Sequence, residues 1–350
     1  MMQGYRINVP LYDFISYLKE VDDKKQELIE RDMGLYFPKG FYEAFAIDDD
    51  FFSTYPIKNL SILCRGQNEF YEKSFASIYR NNVSALECFI ERMKVEEFIN
   101  LLKEHPVVLD LKKPIEGTLP PKKFYIDFEG LAQHYELKTE LMDFSGDPFV
   151  AAFFAVTKYD KKLNKYLPII RPSSKPGIIY IYKIGQSIEE FTQPYMLQKI
   201  KPISLQPFSR PGEQAAYLYR LGGKNLNEVS CIEKYFFYHR KEDSLKIYDM
   251  FDGGDKLFPY DSIQKKVSFI KKQFCFSEEV FFSTYRKYGN NNVKKIKKYL
   301  NKIGVVIKKD KKRYFTEDEI IHLKKQWKME KKEFISKIRI RLQDCDSNIR

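Results

Sequence analysis

Apolar residues recur along this chain with two different periods, and the change from one to the other outlines its elements. From Leu11 to Leu28 the positions Phe14, Leu18, Val21 and Leu28 fall at near-helical spacing and predict an amphipathic helix. Gly34 to Pro56 keeps no such period and reads as an irregular stretch of Gly, Pro and aromatic residues. The run Leu60-Ser61-Ile62-Leu63-Cys64 ends in Arg65-Gly66-Gln67, as a buried strand would if it delivered one cation to the edge of a site. Gly66, with no side chain, would let backbone come close to a ligand there. Ser84 to Leu102 carries an apolar stripe at helical spacing, Phe124 to Tyr135 reads as a further helix, and Gly177 to Ile184 is the clearest strand. Phe208 to Tyr219 is a polar turn running into an apolar strand. Helices and strands mix without strict alternation, which predicts an α+β fold.

The stretch from Leu131 to Val156 stands out within that pattern, because Gln133, His134, Thr139 and Asp143 are packed between two apolar segments. Asp147-Pro148 predicts a helix start: the Asp carboxylate caps free amides, and Pro at the first helical position gives up an N–H that had no partner. The helix that follows is apolar nearly all round and should be buried. It would hold the preceding polar groups on a rigid scaffold.

Beyond Asp252-Gly253-Gly254-Asp255 the composition shifts and the pattern turns helical. Asn292 opens a basic amphipathic helix, and Thr316-Glu317-Asp318-Glu319 is a capping box opening a last long helix. Residues 261–350 hold 25 Lys+Arg against 11 Asp+Glu, a balance of +14 against +12 for the whole chain. The expected division is a helical lead-in over 1–55, a central domain over 56–245, and a basic, mostly helical domain over 246–350. Lys294, Lys295, Lys297, Lys298, Lys311, Lys312 and Arg313 would neutralise phosphates, with Tyr285, Tyr288, Tyr299, Tyr314 and Trp327 stacking on bases, so RNA or DNA is one expected partner. An acidic protein partner would use the same surface.

Length and composition narrow the class further. With 350 residues, 43% hydrophobic and 16% aromatic, the chain can bury a large core without staples. Five scattered cysteines, with no CxxC pair, point to a reducing compartment and to no disulfide framework or zinc site. No His/Cys/Asp/Glu grouping has metal spacing, so no metal is expected. No apolar window of about 18 residues and no secretion-type N-terminus is present, which predicts a soluble cytoplasmic protein with no membrane contact. GxGxxG and GxxxxGK[ST] are absent, which removes the Rossmann and P-loop nucleotide modes.

At Arg65-Gly66 and again at Ala132-Gln133-His134-Tyr135 the chain resembles FRG-domain proteins. The family's downstream Ser and Arg fall on Ser77 or Ser74 with Arg80, its Thr-Arg-Leu-Leu-Asp-Trp segment on Thr139 to Phe144, its Ala-Leu-x-Phe-Ala helix on Ala151 to Ala155, and its late Arg and Gln on Arg210 and Gln214. Cys64 stands in place of the family's aromatic residue, Glu136 of a glycine, Glu140 of an arginine and Phe144 of a tryptophan. The resemblance extends over roughly residues 60–220.

The same order of residues resembles the layout of ADP-ribosyltransferases, in which an early Arg or His grips NAD and a late Glu or Gln contacts the ribose or the acceptor. That resemblance implies NAD as substrate. Arg65 would hold phosphate, His134 and Tyr135 would contact the nicotinamide ribose, and Gln214 or Glu213 would face the anomeric carbon. Gly66, Gln67, Gln133, Thr139, Asp143 and Arg210 would complete the dinucleotide site. Such chemistry needs orientation and electron-rich groups near a developing positive charge. The expected function is an ADP-ribosyltransferase-like effector, a toxin or antiphage component, acting on nucleic acid or a nucleic-acid-associated protein. The alternative is a non-catalytic FRG module that senses a ligand while the C-terminal helices bind nucleic acid or a partner. A nuclease is disfavoured, since no acidic metal cluster stands out.

Overall fold

The computed structural model describes residues 4–33, 40–56, 61–115, 121–171, 174–184, 200–203, 205–289, 292–310 and 312–339. The fold is α+β, as the mixed pattern predicts.

Seven strands form the main sheet: β1 (Tyr5–Arg6), β2 (Ile62–Gln67), β3 (Leu141–Ser145), β4 (Gly177–Lys183), β5 (Ile200–Pro202), β6 (Ala216–Arg220) and β7 (Ile232–Phe237), in the order β1-β7-β4-β2-β3-β6-β5. Only the β1–β7 pair is parallel. β4 is buried from Gly177 to Tyr182 because both its faces are covered: Ile179 and Ile181 enter one core and Ile178, Tyr180 and Tyr182 the other. Between β2 and β3 the ladder reduces to one pair, Cys64 opposite Ser145. The sheet parts there, and the cavity described below lies at the split.

Eleven α-helices are described: α1 (Leu11–Met33), α2 (Ala85–Glu104), α3 (Pro106–Leu111), α4 (Phe128–His134), α5 (Pro148–Val156), α6 (Arg210–Glu213), α7 (Lys241–Met250), α8 (Gln264–Lys272), α9 (Glu278–Tyr288), α10 (Val293–Lys302) and α11 (Glu317–Ser336). α5 begins where Asp147-Pro148 predicts, with the Asp147 carboxylate accepting from Phe149 N–H, and nearly all of it is buried. Its core contains Leu11 and Ile15 of α1 and Ile247 of α7. The Thr316 capping box opens α11, and Asn292 caps α10.

Two expectations shift. Helix α4 starts at Phe128 rather than at Phe124, because Asp127 accepts from Gly130 N–H as N-cap while Phe124 pairs as a short strand with Phe52. Within the stretch read as irregular, Tyr42–Ala46 and Phe51–Pro56 form an antiparallel hairpin, extended on one side by Lys123–Phe124 and on the other by Ile338–Arg339. Gly34 to Lys39 of that stretch lie outside the described residues.

The basic C-terminal helices share their cores with the middle of the chain. Ile263, Val267, Phe315, Leu323 and Trp327 pack with residues of α2, α3 and α4, and Phe276, Phe281, Ile296 and Leu300 pack with Phe89, Ile90 and Met93 of α2. Charge reinforces this: the buried carboxylates of Glu96 and Glu97 on α2 are met by Lys287 and Lys312. Among the described residues, no helix is long and apolar enough to cross a membrane.

Candidate functional site

A cavity of about 470 Å³ sits at the split between β2 and β3, within the usual ~300–1,000 Å³ range of small-molecule sites. Arg65 comes from β2, Asp143 from β3, Gln133 and His134 from the end of α4, and Gln214 from just after α6; all line the cavity. Where the ladder is missing, the Arg65 guanidinium bridges the strands instead, with Nη1 donating to the Asp143 carbonyl at 2.8 Å. Its Nε is buried with no acceptor.

The Asp143 carboxylate is aimed by its neighbours. Gln133 Nε2 donates to Oδ2 at 2.8 Å, and Thr139 Oγ1 donates to Gln133 Oε1 at 2.5 Å. Thr139 is itself fixed through its N–H to Ser77 Oγ at 3.0 Å. The other oxygen, Oδ1, is buried and takes no hydrogen bond.

His134 is held just as firmly. Gln214 Nε2 donates to the Leu257 carbonyl at 2.9 Å, which leaves its Oε1 as the acceptor facing His134 Nδ1 at 3.0 Å. The proton is thereby assigned to Nδ1, and Nε2 carries a lone pair. Burial pushes the His134 pKa below its ordinary value, outweighing the opposing effect of Asp143 and of the bond to Gln214, so the ring is neutral. Nε2 points at Asp143 Oδ1 across 3.8 Å, and neither atom has a hydrogen-bond partner. Two buried acceptors facing each other are unfavourable in the protein alone and call for a donor between them.

The opposite character appears at the rim. Arg80 lines the same cavity as Arg65, its charged form disfavoured first by burial and then by Arg65. Two crowded guanidinium groups attract an anion.

Residues 61–164 match the FRG domain. The chain carries an FRG domain. No curated protein and no solved structure matches the chain.

The matched stretch contains both strands of the split and helices α2 to α5. The departures of this FRG domain from its family pattern take on physical meaning here. Glu140, where the family has a cation, faces away from the cavity and accepts from Arg92 at 2.5 Å and from the Tyr79 hydroxyl at 2.9 Å. Phe144 is buried in the apolar cluster on one face of the sheet. Cys64 is fully buried, and burial raises its thiol pKa, as suits a structural residue.

Of the residues expected at the site, Arg65, Gly66, Gln67, Gln133, His134, Asp143 and Gln214 line the cavity. Thr139 lies behind it and acts through Gln133. Five of the expected residues have contacts that the sequence does not show. Gly66 is required by packing as well as lining the cavity: a Cβ there would come 1.9 Å from the Ala151 carbonyl oxygen of α5. Gln214 lines the cavity with its amide fixed between His134 and the Leu257 carbonyl, so it positions His134. Glu213 is exposed and absent from the cavity lining; its charge is felt by the Tyr42 hydroxyl instead. Tyr135 and Arg210 line a neighbouring basin, where the Tyr135 hydroxyl donates to Asp261. Arg80 and Tyr166 also line the main cavity; the sequence marks Arg80 only through the family pattern and gives no signal for Tyr166.

The lysines expected to contact nucleic acid divide. Lys294, Lys295 and Lys298 are exposed on α10. Lys297 pairs with Glu278 at 2.7 Å, Arg313 with Glu317 at 3.3 Å, and Lys312 neutralises buried Glu97 at 2.8 Å. Lys311 lies outside the described residues. Trp327 is buried, its indole N–H donating to Asp110 at 2.8 Å, so it cannot stack on a base.

Proposed function

We propose that the cavity takes the ADP-ribosyl part of NAD and that the protein is an ADP-ribosyltransferase-like effector acting on nucleic acid or a nucleic-acid-associated protein. The observation that supports this most is the pair of facing acceptors, His134 Nε2 and Asp143 Oδ1, at one cavity with Arg65 and Arg80. A sugar hydroxyl supplies the donor that the first pair lacks, and a pyrophosphate supplies the anionic oxygens that suit two guanidinium forks. Bound NAD brings a glycosidic bond to a cationic leaving group. Asp143, with one oxygen uncommitted, places negative charge in the cavity, and neutral His134 with Nε2 bare is in the state of a general base.

A second reading is favoured by Gln214 and Glu213. Glu213 is absent from the cavity lining and the Gln214 amide oxygen already faces His134 Nδ1, which suits an FRG module that binds its ligand without turnover.

The deciding experiment incubates the full chain with radiolabelled NAD and, separately, total RNA, duplex DNA and cell lysate, alongside Arg65→Ala and His134→Ala. Label transferred to one acceptor and lost in both variants supports the transferase. No transfer and no nicotinamide release, with ADP-ribose still bound, selects the sensing module. No binding of NAD or ADP-ribose at all sinks both.

A further inference from the structure

Beside the main cavity lies a smaller basin of about 210 Å³, and the two share Glu136, Tyr159 and Tyr166. Arg210 lies in this basin with only 5% of its surface exposed. The Tyr135 and Phe258 rings flank its guanidinium, with centroids 4.6 and 5.9 Å from Cζ. The nearest carboxylate, Asp261, stands 3.9 Å from Nε, too far for a hydrogen bond. That carboxylate already accepts from the Tyr135 hydroxyl and from the Ile263 and Gln264 N–H groups. Among the described residues, no protein acceptor takes a hydrogen bond from the Arg210 guanidinium, and its Nε is buried without one. Gln264 adds the complementary lack: its Oε1 is buried in the same basin with no donor. The remaining charges at the basin are Lys271, paired with Glu136 at 2.7 Å, and Lys165 and Asp255.

We propose that this basin binds a nucleobase, guanine best. The ligand must accept from a guanidinium, donate to an amide oxygen and fill a space walled by aromatic rings. A phosphate would satisfy Arg210 alone, leaving Gln264 unpaired and the rings unused. A base meets all three demands, since every base presents an acceptor beside a donor and a face that stacks. Guanine offers O6 and N7 to an arginine fork, with N1–H next to O6 for Gln264 Oε1. This deepens the proposed function by giving the donor cavity an adjoining base site, but its test needs no NAD.

Calorimetric titration of the full chain with guanosine, inosine, adenosine and cytidine, and with ribose 5-phosphate as the phosphate control, tests the inference. Guanosine is expected to bind most tightly and ribose 5-phosphate not at this basin. Gln264→Leu should weaken guanosine about tenfold, the loss of one buried hydrogen bond. Arg210→Lys should weaken it at least as much. Because Arg210 is packed on Tyr135, Ser268→Trp is the second variant: Ser268 is exposed at the basin, and an indole there blocks entry without disturbing the core. It should abolish guanosine binding with the melting temperature unchanged. Guanosine failing to bind, or binding equally to Gln264→Leu and Ser268→Trp, overturns the inference. Titration with ADP-ribose present tells the sources apart: additive binding assigns the base to a second substrate, and competition assigns it to the adenine of the donor. Guanosine binding in a protein that ignores both NAD and ADP-ribose would remove the proposed donor and leave the base site standing.

Discussion

Replacing Asp143 with Asn should stabilise the protein and disarm its cavity. The carboxylate oxygen Oδ1 and His134 Nε2 are both acceptors, both buried, and 3.8 Å apart with no donor between them. An asparagine keeps an oxygen for the bond from Gln133 and turns an N–H toward Nε2, so one hydrogen bond replaces one conflict. The Arg65 contact survives because it goes to the backbone carbonyl. An unsatisfied buried acceptor costs about 1–3 kcal/mol, but the Asp143 side chain is 37% exposed and its charge is partly hydrated, so the lower end applies. We expect a gain of about 1 kcal/mol, which for a chain of this size raises the melting temperature by roughly 2 °C. ADP-ribose affinity should fall at least tenfold, since the site no longer has two acceptors to share a hydroxyl proton. Urea unfolding near neutral pH and calorimetric titration measure the two quantities. The pH dependence adds a further constraint. His134 has its folded pKa depressed, so its proton binds more readily in the unfolded chain; its contribution to stability is full above about pH 6.5 and falls as pH drops. Asp143 opposes that depression, so the variant's advantage should shrink on acidification. A variant less stable than the parent near neutral pH, or one that binds ADP-ribose unchanged, would refute this account.

Three further outcomes follow from the packing. His105, which caps α3 and is buried between Phe208 and Phe315, has its pKa lowered to about 4, mainly by burial and further by Lys266. Against an unfolded value of about 6.5, stability should fall by roughly 3 kcal/mol as pH drops from 6.5 to 4, a loss that His105→Gln should lack when unfolding is followed by circular dichroism. Lys312→Met takes the ammonium from buried Glu97, leaving its charge with the Tyr314 hydroxyl alone, and should cost about 3 kcal/mol, while Lys312→Met with Glu97→Leu should recover most of it; an additive double variant would contradict the pairing. Gly66→Ala drives a methyl group into the Ala151 carbonyl and should cost several kcal/mol, about 3 or more, with loss of ordered α5 in hydrogen exchange.

What could be read from the sequence and what could not separate along physical lines. Local signals carried through: Asp147-Pro148 and Thr316 with Glu319 mark helix starts because a cap is satisfied within three residues. The members of the site on β2, α4 and β3 were legible as motifs, because each motif keeps its polar residues within one short element. Their division of labour was not. The resemblance assigns Gln214 or Glu213 to the reacting carbon and carries no sign that Leu257, 43 residues on, fixes the Gln214 amide and makes it a support for His134. Glu213, its neighbour, turns outward because α6 is only four residues long and presents successive side chains to different surroundings. Lys312 looked like part of a phosphate-binding surface because a charge count does not know that Glu96 and Glu97 lie buried on α2, more than 200 residues earlier in the case of Glu97. Trp327, counted as a stacking platform, was removed to the core by Asp110 for the same reason. The basic excess is therefore partly an internal counter-charge. Another part stays at the surface, at Lys294, Lys295 and Lys298 of α10 and at Lys324, Lys325 and Lys328 of α11.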